Sequence, residues 1–141
     1  MDDSISITFG IPEHGWLPVC FSYYDFRLDF ETSDAGNDPI EELYHAITKL
    51  QDNEIRRVTW WLEPGVYFFD IEKTGPDICL TISETTYLSN RYAPQTILQT
   101  ITGDDTTIIE PFKIAVRQFC AHTYDEIHWP YETANYSAKS S

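Results

Sequence analysis

The chain has 141 residues, a formal net charge of −14, 42% hydrophobic and 15% aromatic residues. That length supports one domain with its own core, and the hydrophobic share excludes a disordered chain. The charge opposes binding to nucleic-acid phosphate and to anionic membrane surfaces and favours a basic protein, although solubility alone accounts for it equally well.

Taken in chain order, Ile5, Ile7, Phe9 and Ile11 alternate with Ser6, Thr8 and Gly10, the pattern of a half-buried strand. Pro12-Glu13-His14-Gly15 marks a turn. Leu17, Val19, Phe21 and Tyr23 then alternate at odd positions, and Tyr24, Phe26, Leu28 and Phe30 at even ones. A one-residue slip reverses every side chain, so a hairpin or a strong bulge is predicted at Tyr23-Tyr24. The other face of the second half carries Asp25, Arg27, Asp29 and Glu31.

A loop over 32–37 precedes a helix over about 38–51. Asp38 suits the N-cap, Pro39 the first helical position, and Glu41 a returning capping bond. Ile40, Leu43, Ile47 and Leu50 form its apolar stripe. Strands are predicted over 56–62 and 66–73, around Pro64-Gly65 as the centre of a tight turn. That turn pairs Leu62 with Tyr67, Trp60 with Phe69 and Val58 with Ile71 on a wholly apolar face. The other face pairs Glu63 with Val66, Trp61 with Phe68, Thr59 with Asp70 and Arg57 with Glu72.

Ile78, Leu80 and Ile82 give a further strand, 85–95 reads as irregular, and 96–102 as a Thr-rich edge strand. A second helix is predicted at roughly 108–123. Its start has two readings: a Thr107–Glu110 capping box, or Pro111 at the first position. The segment from Asp125 is acidic and aromatic, and 136–141 is Ser/Ala-rich with the composition of a disordered tail. The expected fold is α+β: one domain over 1–135, with an antiparallel sheet of about five or six strands and two helices on one face.

No motif points to a reaction. There is no G-x-S-x-G, Walker or G-x-G-x-x-G sequence. His14, His45, His122 and His128 are scattered, so no metal or other cofactor is expected. Cys20, Cys79 and Cys120 are far apart in apolar surroundings and read as reduced core thiols; a Cys120 dyad with His122 or His128 is a minor alternative. The first residues, MDDSISITFG, lack the features of a signal peptide, and no run approaches the ~18 apolar residues of a membrane span. A cytoplasmic, non-catalytic protein is expected.

The acidic residues are concentrated. Residues 1–54 hold 12 acidic and 2 basic residues; residues 55–141 hold 11 and 7. Asp38 and Glu41 are explained by capping, and Glu42 by the helix dipole. The remaining acids either face water or meet a basic partner that relieves their repulsion. The candidate partner-binding residues are Asp25, Asp29, Glu31, Asp34, Glu42, Trp61, Phe68 and Glu63. The outer pair, Trp61 and Phe68, would be covered by the C-terminal segment, by a second copy in a homodimer, or by a partner. Two other readings are a small-molecule binding module or cryptic enzyme with an aromatic-lined pocket, and a nucleic-acid mimic.

The stretches WLPVCFSYYDFRLDFETS, NDPIEELYHAI and VTWWLEPGVYFFDIEK, within residues 16–73, resemble small uncharacterised bacterial proteins of the polymorphic-toxin immunity type. The resemblance lies in their order: an aromatic strand with alternating acids, an Asp-Pro-led helix, and a Trp-rich hairpin. It implies an inhibitor that sequesters a cognate, basic toxin domain without catalysis, and it assigns no binding residues.

Overall fold

The computed structural model describes residues 4–88 and 91–131. The expected disordered tail at 136–141 lies outside them. The fold is α+β, as expected, with the strands divided between two antiparallel sheets. The small sheet has the order β1-β2-β3, from β1 (Ser6–Phe9), β2 (Trp16–Tyr23) and β3 (Phe26–Ser33). The larger one contains β4 (Glu54–Trp61), β5 (Gly65–Thr74), β6 (Asp77–Leu88), the two-residue β7 (Arg91–Tyr92) and β8 (Thr96–Gly103). In it β4 pairs β5, β5 pairs β6, and β6 pairs both β7 and β8.

The parity slip at Tyr23-Tyr24 is a hairpin. Tyr23 pairs Phe26 across a two-residue loop, and Tyr24 adopts a left-handed backbone with φ 52°. Odd positions of β2 and even positions of β3 therefore share one face: Val19 pairs Phe30 and Phe21 pairs Leu28. That face meets the inner face of the larger sheet, with Phe21 and Phe69 ring centroids 5.4 Å apart.

The helix α1 (Pro39–Lys49) begins at Asp38, whose carboxylate accepts from the Ile40 and Glu41 amides at 3.1 and 3.2 Å. Glu41 sits 3.5 Å from His45 Nε2, and the hydrogen bonds among the described residues do not include its expected return bond to Asp38. Ile40, Leu43 and Ile47 are buried, each contributing about 1.5–3 kcal/mol on the usual scale for a fully buried aliphatic side chain. The second helix, α2 (Glu110–Cys120), follows a π-helical turn over Asp105–Ile109. Neither predicted start is used. Asp104 caps the turn by accepting from the Thr107 amide at 3.0 Å, and Pro111 falls in the first turn of α2.

The Trp-rich hairpin keeps its predicted faces but not its register. Trp60 pairs Tyr67, Trp61 pairs Val66, and Val58 pairs Phe69. The Leu62 amide donates to the Gly65 carbonyl at 2.7 Å, which centres the loop on Glu63-Pro64, joined by a cis peptide bond. The centre sits one residue earlier than predicted, so the register moves by two and each side chain keeps its face.

Small sheet, large sheet and both helices enclose one core. Trp60, 0% exposed, lies at its centre. Its ring meets those of Phe9, Phe30 and Phe69 at 6.2, 5.7 and 5.4 Å. These contacts tie β4 to β1, β3 and β5, so one side chain bridges both sheets.

Two predictions test this arrangement. Trp60→Ala should lower the unfolding free energy by about 3–5 kcal/mol in urea denaturation, as large aromatic truncations in cores do; a loss under about 1 kcal/mol would show that the sheets do not depend on this ring. The second concerns pH. Burial pushes the Asp38 carboxyl up to about 6, with Glu41 and Glu42 adding repulsion against the two stabilising amide bonds. An unfolded Asp titrates near about 3.9. The folded state thus holds this proton more tightly, and the stability it contributes is full below about 4 and lost as pH rises through about 6. Burial raises Glu42 in the same direction. Asparagine retains the capping oxygen, so Asp38→Asn should flatten the fall in stability between about pH 4 and 6.5. Identical slopes in the two proteins would clear Asp38 of that role.

Candidate functional site

Odd positions of β3 point away from the core. They align Arg27, Asp29, Glu31 and Ser33 at the ~7 Å spacing of alternate strand residues. Asp25 stands exposed in the preceding hairpin loop. Arg27 Nε donates to Asp29 at 2.8 Å, and that bond holds the Asp29 carboxyl below the usual range. Among the described residues, no basic group lies within ion-pair distance of Asp25, Glu31 or Glu63. The exposed row ends at Glu31; Ser33, next in it but buried, donates its hydroxyl to Glu63 Oε1 at 3.3 Å. The acidic face of β3 therefore runs directly into the Glu63 turn of the other sheet.

Beside that turn lies a cleft of about 360 Å³, lined by Ala35, Gly36, Trp61, Glu63, Pro64 and Tyr87. Three elements build it. The loop between β3 and α1 forms one wall, with Gly36 backed so tightly against the Trp61 indole that a Cβ there would overlap it. The Glu63-Pro64 turn forms the second. The end of β6 forms the third, held by the Tyr87 amide donating to the Pro64 carbonyl at 3.0 Å. The Trp61 and Tyr87 rings are nearly perpendicular, at 87° and 5.4 Å. Tyr92 adds a third ring, 6.1 Å from Trp61 and 5.0 Å from Tyr87. Tyr87 and Tyr92 are 36% and 42% exposed.

Several expected partner-binding residues are placed differently. Phe68 is 1% exposed, capped by Tyr92 at 5.3 Å and by the Arg57 guanidinium 3.9 Å over its ring. Its ring thus offers no surface to a partner, and Trp61 is only part-buried. Among the described residues the cover is Tyr92 and Arg57, with Gln95 bonded to Arg57 and Ser83. The described part of the C-terminal segment docks elsewhere: Trp129 is buried in the core, and Tyr131 donates to the Asp34 carbonyl at 2.6 Å. Glu42 faces inward, accepting from the Thr59 amide and the Asn37 side chain, both at 2.8 Å. Burial raises its pKa. Asp34 is half-buried, its carboxylate packed against Gly15. Asp25, Asp29, Glu31 and Glu63 remain exposed.

A second cleft, of about 430 Å³, lies between α1 and β4 and gathers Asp38, Glu41, Glu42, His45, Arg56 and Arg57. Its charges are engaged internally: Asp38 caps α1, Glu42 binds β4, Arg56 pairs Glu54, and Arg57 forks onto Asp70 at 2.7 and 2.9 Å. Elsewhere the His14 amide donates to His128 Nδ1 at 3.0 Å, which leaves that imidazole nitrogen an acceptor. Among the described residues no group of three or more His, Cys, Asp or Glu is arranged to hold a metal. Burial pushes the Cys120 thiol up to about 11, so it is protonated at neutral pH and a weak nucleophile. Among the described residues no helix is long and apolar enough to cross a membrane.

Tyr87 and Tyr92 are the site residues that the sequence reading left out. The signal for Tyr87 was present. Outward positions of β6 continue past the predicted end as Ser83, Thr85 and Tyr87, and the strand extends to Leu88. No such signal marks Tyr92, which depends on the chain turning back to pair β7 with the end of β6. Comparison with known proteins yields no match: no family model fits the chain, no curated protein aligns with it, and no solved structure matches it.

Proposed function

We propose that this chain is a non-catalytic, acidic protein-binding protein whose partner is basic, and that it acts as an immunity protein neutralising a bacterial toxin domain. The observation that carries the reading is the continuity of exposed carboxylates with exposed aromatic rings. Asp25, Glu31 and Glu63 have no basic partner among the described residues, and Glu63 adjoins Trp61 and Tyr87. Aromatic side chains are the usual anchors of protein interfaces, and an acidic rim steers a basic partner at high rate. The immunity-type resemblance read from residues 16–73 would imply the same role. The cytoplasm is the compartment in which three unpaired thiols persist, and it is proposed as the location.

One observation favours a second reading. The aromatic cleft of about 360 Å³ falls within the size range of small-molecule sites, as a small-ligand module or cryptic enzyme would require.

The test is co-expression with the protein encoded beside it, followed by affinity measurement across salt concentrations. Asp25→Lys, Glu31→Lys and Glu63→Lys combined should weaken the complex at least about tenfold, reduce its salt dependence and abolish protection from the toxin, because rim charges set encounter. Glu42 is excluded from this set because its carboxylate is bonded internally. Unchanged affinity and protection in the triple variant would overturn the acidic-surface reading.

A further inference from the structure

We infer that the cleft of Trp61, Tyr87 and Glu63 receives a single lysine or arginine side chain from the partner, with the aromatic rings meeting the cation and Glu63 pairing its charge. The inference rests on the protein-binding reading and assigns the point where the partner is anchored.

The chemistry of the walls selects the occupant. The Trp61 and Tyr87 rings meet edge to face, 5.4 Å apart, and both line the cleft. A cation is attracted to such a face within about 6 Å of its centroid. Glu63 stands at the rim with an exposed carboxylate, satisfied by one serine hydroxyl and by no basic group among the described residues. A volume of about 360 Å³ lies near the lower end of ligand-site sizes, which suits one long side chain more than a bulky cofactor.

The protein uses the same chemistry internally on the same face of the sheet. Arg57 lies 3.9 Å over the Phe68 ring while its guanidinium forks onto Asp70 at 2.7 and 2.9 Å. Ring, cation and carboxylate are all supplied by the chain there. At Trp61, Tyr87 and Glu63 the chain supplies rings and carboxylate, and the partner completes the set with the cation. Gly36 holds the Trp61 indole in place from behind, so the wall is formed before binding and little ordering cost remains. The exposed acids Asp25 and Glu31 add negative potential along the strand that leads through Ser33 to Glu63, which attracts positive charge to this face.

A nitrogen-15 NMR titration tests the inference, with the Trp61 indole N–H assigned by comparison with Trp61→Phe. The probes are a capped hexapeptide with one central arginine, its lysine counterpart, the same peptide with neutral citrulline, and free choline. The arginine and lysine peptides should shift the Trp61 indole saturably, at least about tenfold more tightly than the citrulline peptide. Glu63→Gln, at an exposed position and therefore expected to fold normally, should weaken that binding about three- to tenfold. Tyr87→Leu should weaken it comparably. Equal binding of the citrulline peptide, no effect of Glu63→Gln, or tighter binding of choline than of either basic peptide would overturn the inference. Shifts confined to Asp25–Glu31, with the Trp61 indole unmoved, would overturn it while leaving the protein-binding reading standing. Basic peptides that shift no resonance anywhere would count against both.

Discussion

Among the described residues the backbone of β4 has a strand partner on one side only, β5. On the other, the Thr59 amide donates to Glu42 and the Thr59 carbonyl accepts from Asn37, while the Trp61 carbonyl accepts from the Thr32 hydroxyl. Side chains from α1, its leading loop and β3 thus replace a missing strand. An unprotected edge invites pairing with other chains, and this substitution occupies it at Thr59 and Trp61. The placement of the small sheet against the large one follows from it, because among the described residues no strand of one sheet pairs with a strand of the other. The seam also has an apolar half: Trp60, between Thr59 and Trp61, points inward and packs against Phe9, Phe30 and Phe69.

The seam and the candidate site are built from the same residues. Period-two alternation sends Trp60 into the core and Trp61 out of it. The loop over 34–37 supplies Asn37 to the seam and Gly36 to the back of Trp61. Ser33 reaches Glu63 across the same boundary. A change that loosens the seam would therefore displace a wall of the cleft as well. The cost of this design lies in Glu42 and Asp38, two carboxylates drawn into partial burial and raised in pKa by it.

Much of the fold was legible because the decisive signals are local. The parity slip at Tyr23-Tyr24 becomes a hairpin, and Asp38-Pro39 opens α1. The faces of the Trp-rich hairpin also hold, since a two-residue change of register preserves them. The register itself depends on which carbonyl accepts from the Leu62 amide, a choice between neighbouring turns that composition does not resolve. The start of α2 escaped for a similar reason: Asp104 caps a π-helical turn, where the expected patterns assumed α-helical spacing. Trp129 read as part of an acidic, aromatic tail, yet it is core, because a single residue has no periodicity to announce it.

The sequence by itself determined the class of fold, the inward and outward faces of the strands, the cap of α1 and the acidic excess. Each of these follows from backbone geometry or from counting charges. Only the tertiary structure decided which charges and rings are free. It withdrew Glu42 into the β4 edge, buried Phe68 beneath Arg57 and Tyr92, and left Asp25 and Glu31 exposed along β3 and its hairpin and Glu63 exposed beside the Trp61–Tyr87 pair. Availability depends on partners far apart in the chain, 17 residues for Glu42 and Thr59 and 30 for Ser33 and Glu63. Contacts over such separations are set by how the sheets and helices pack, and local pattern carries no record of them.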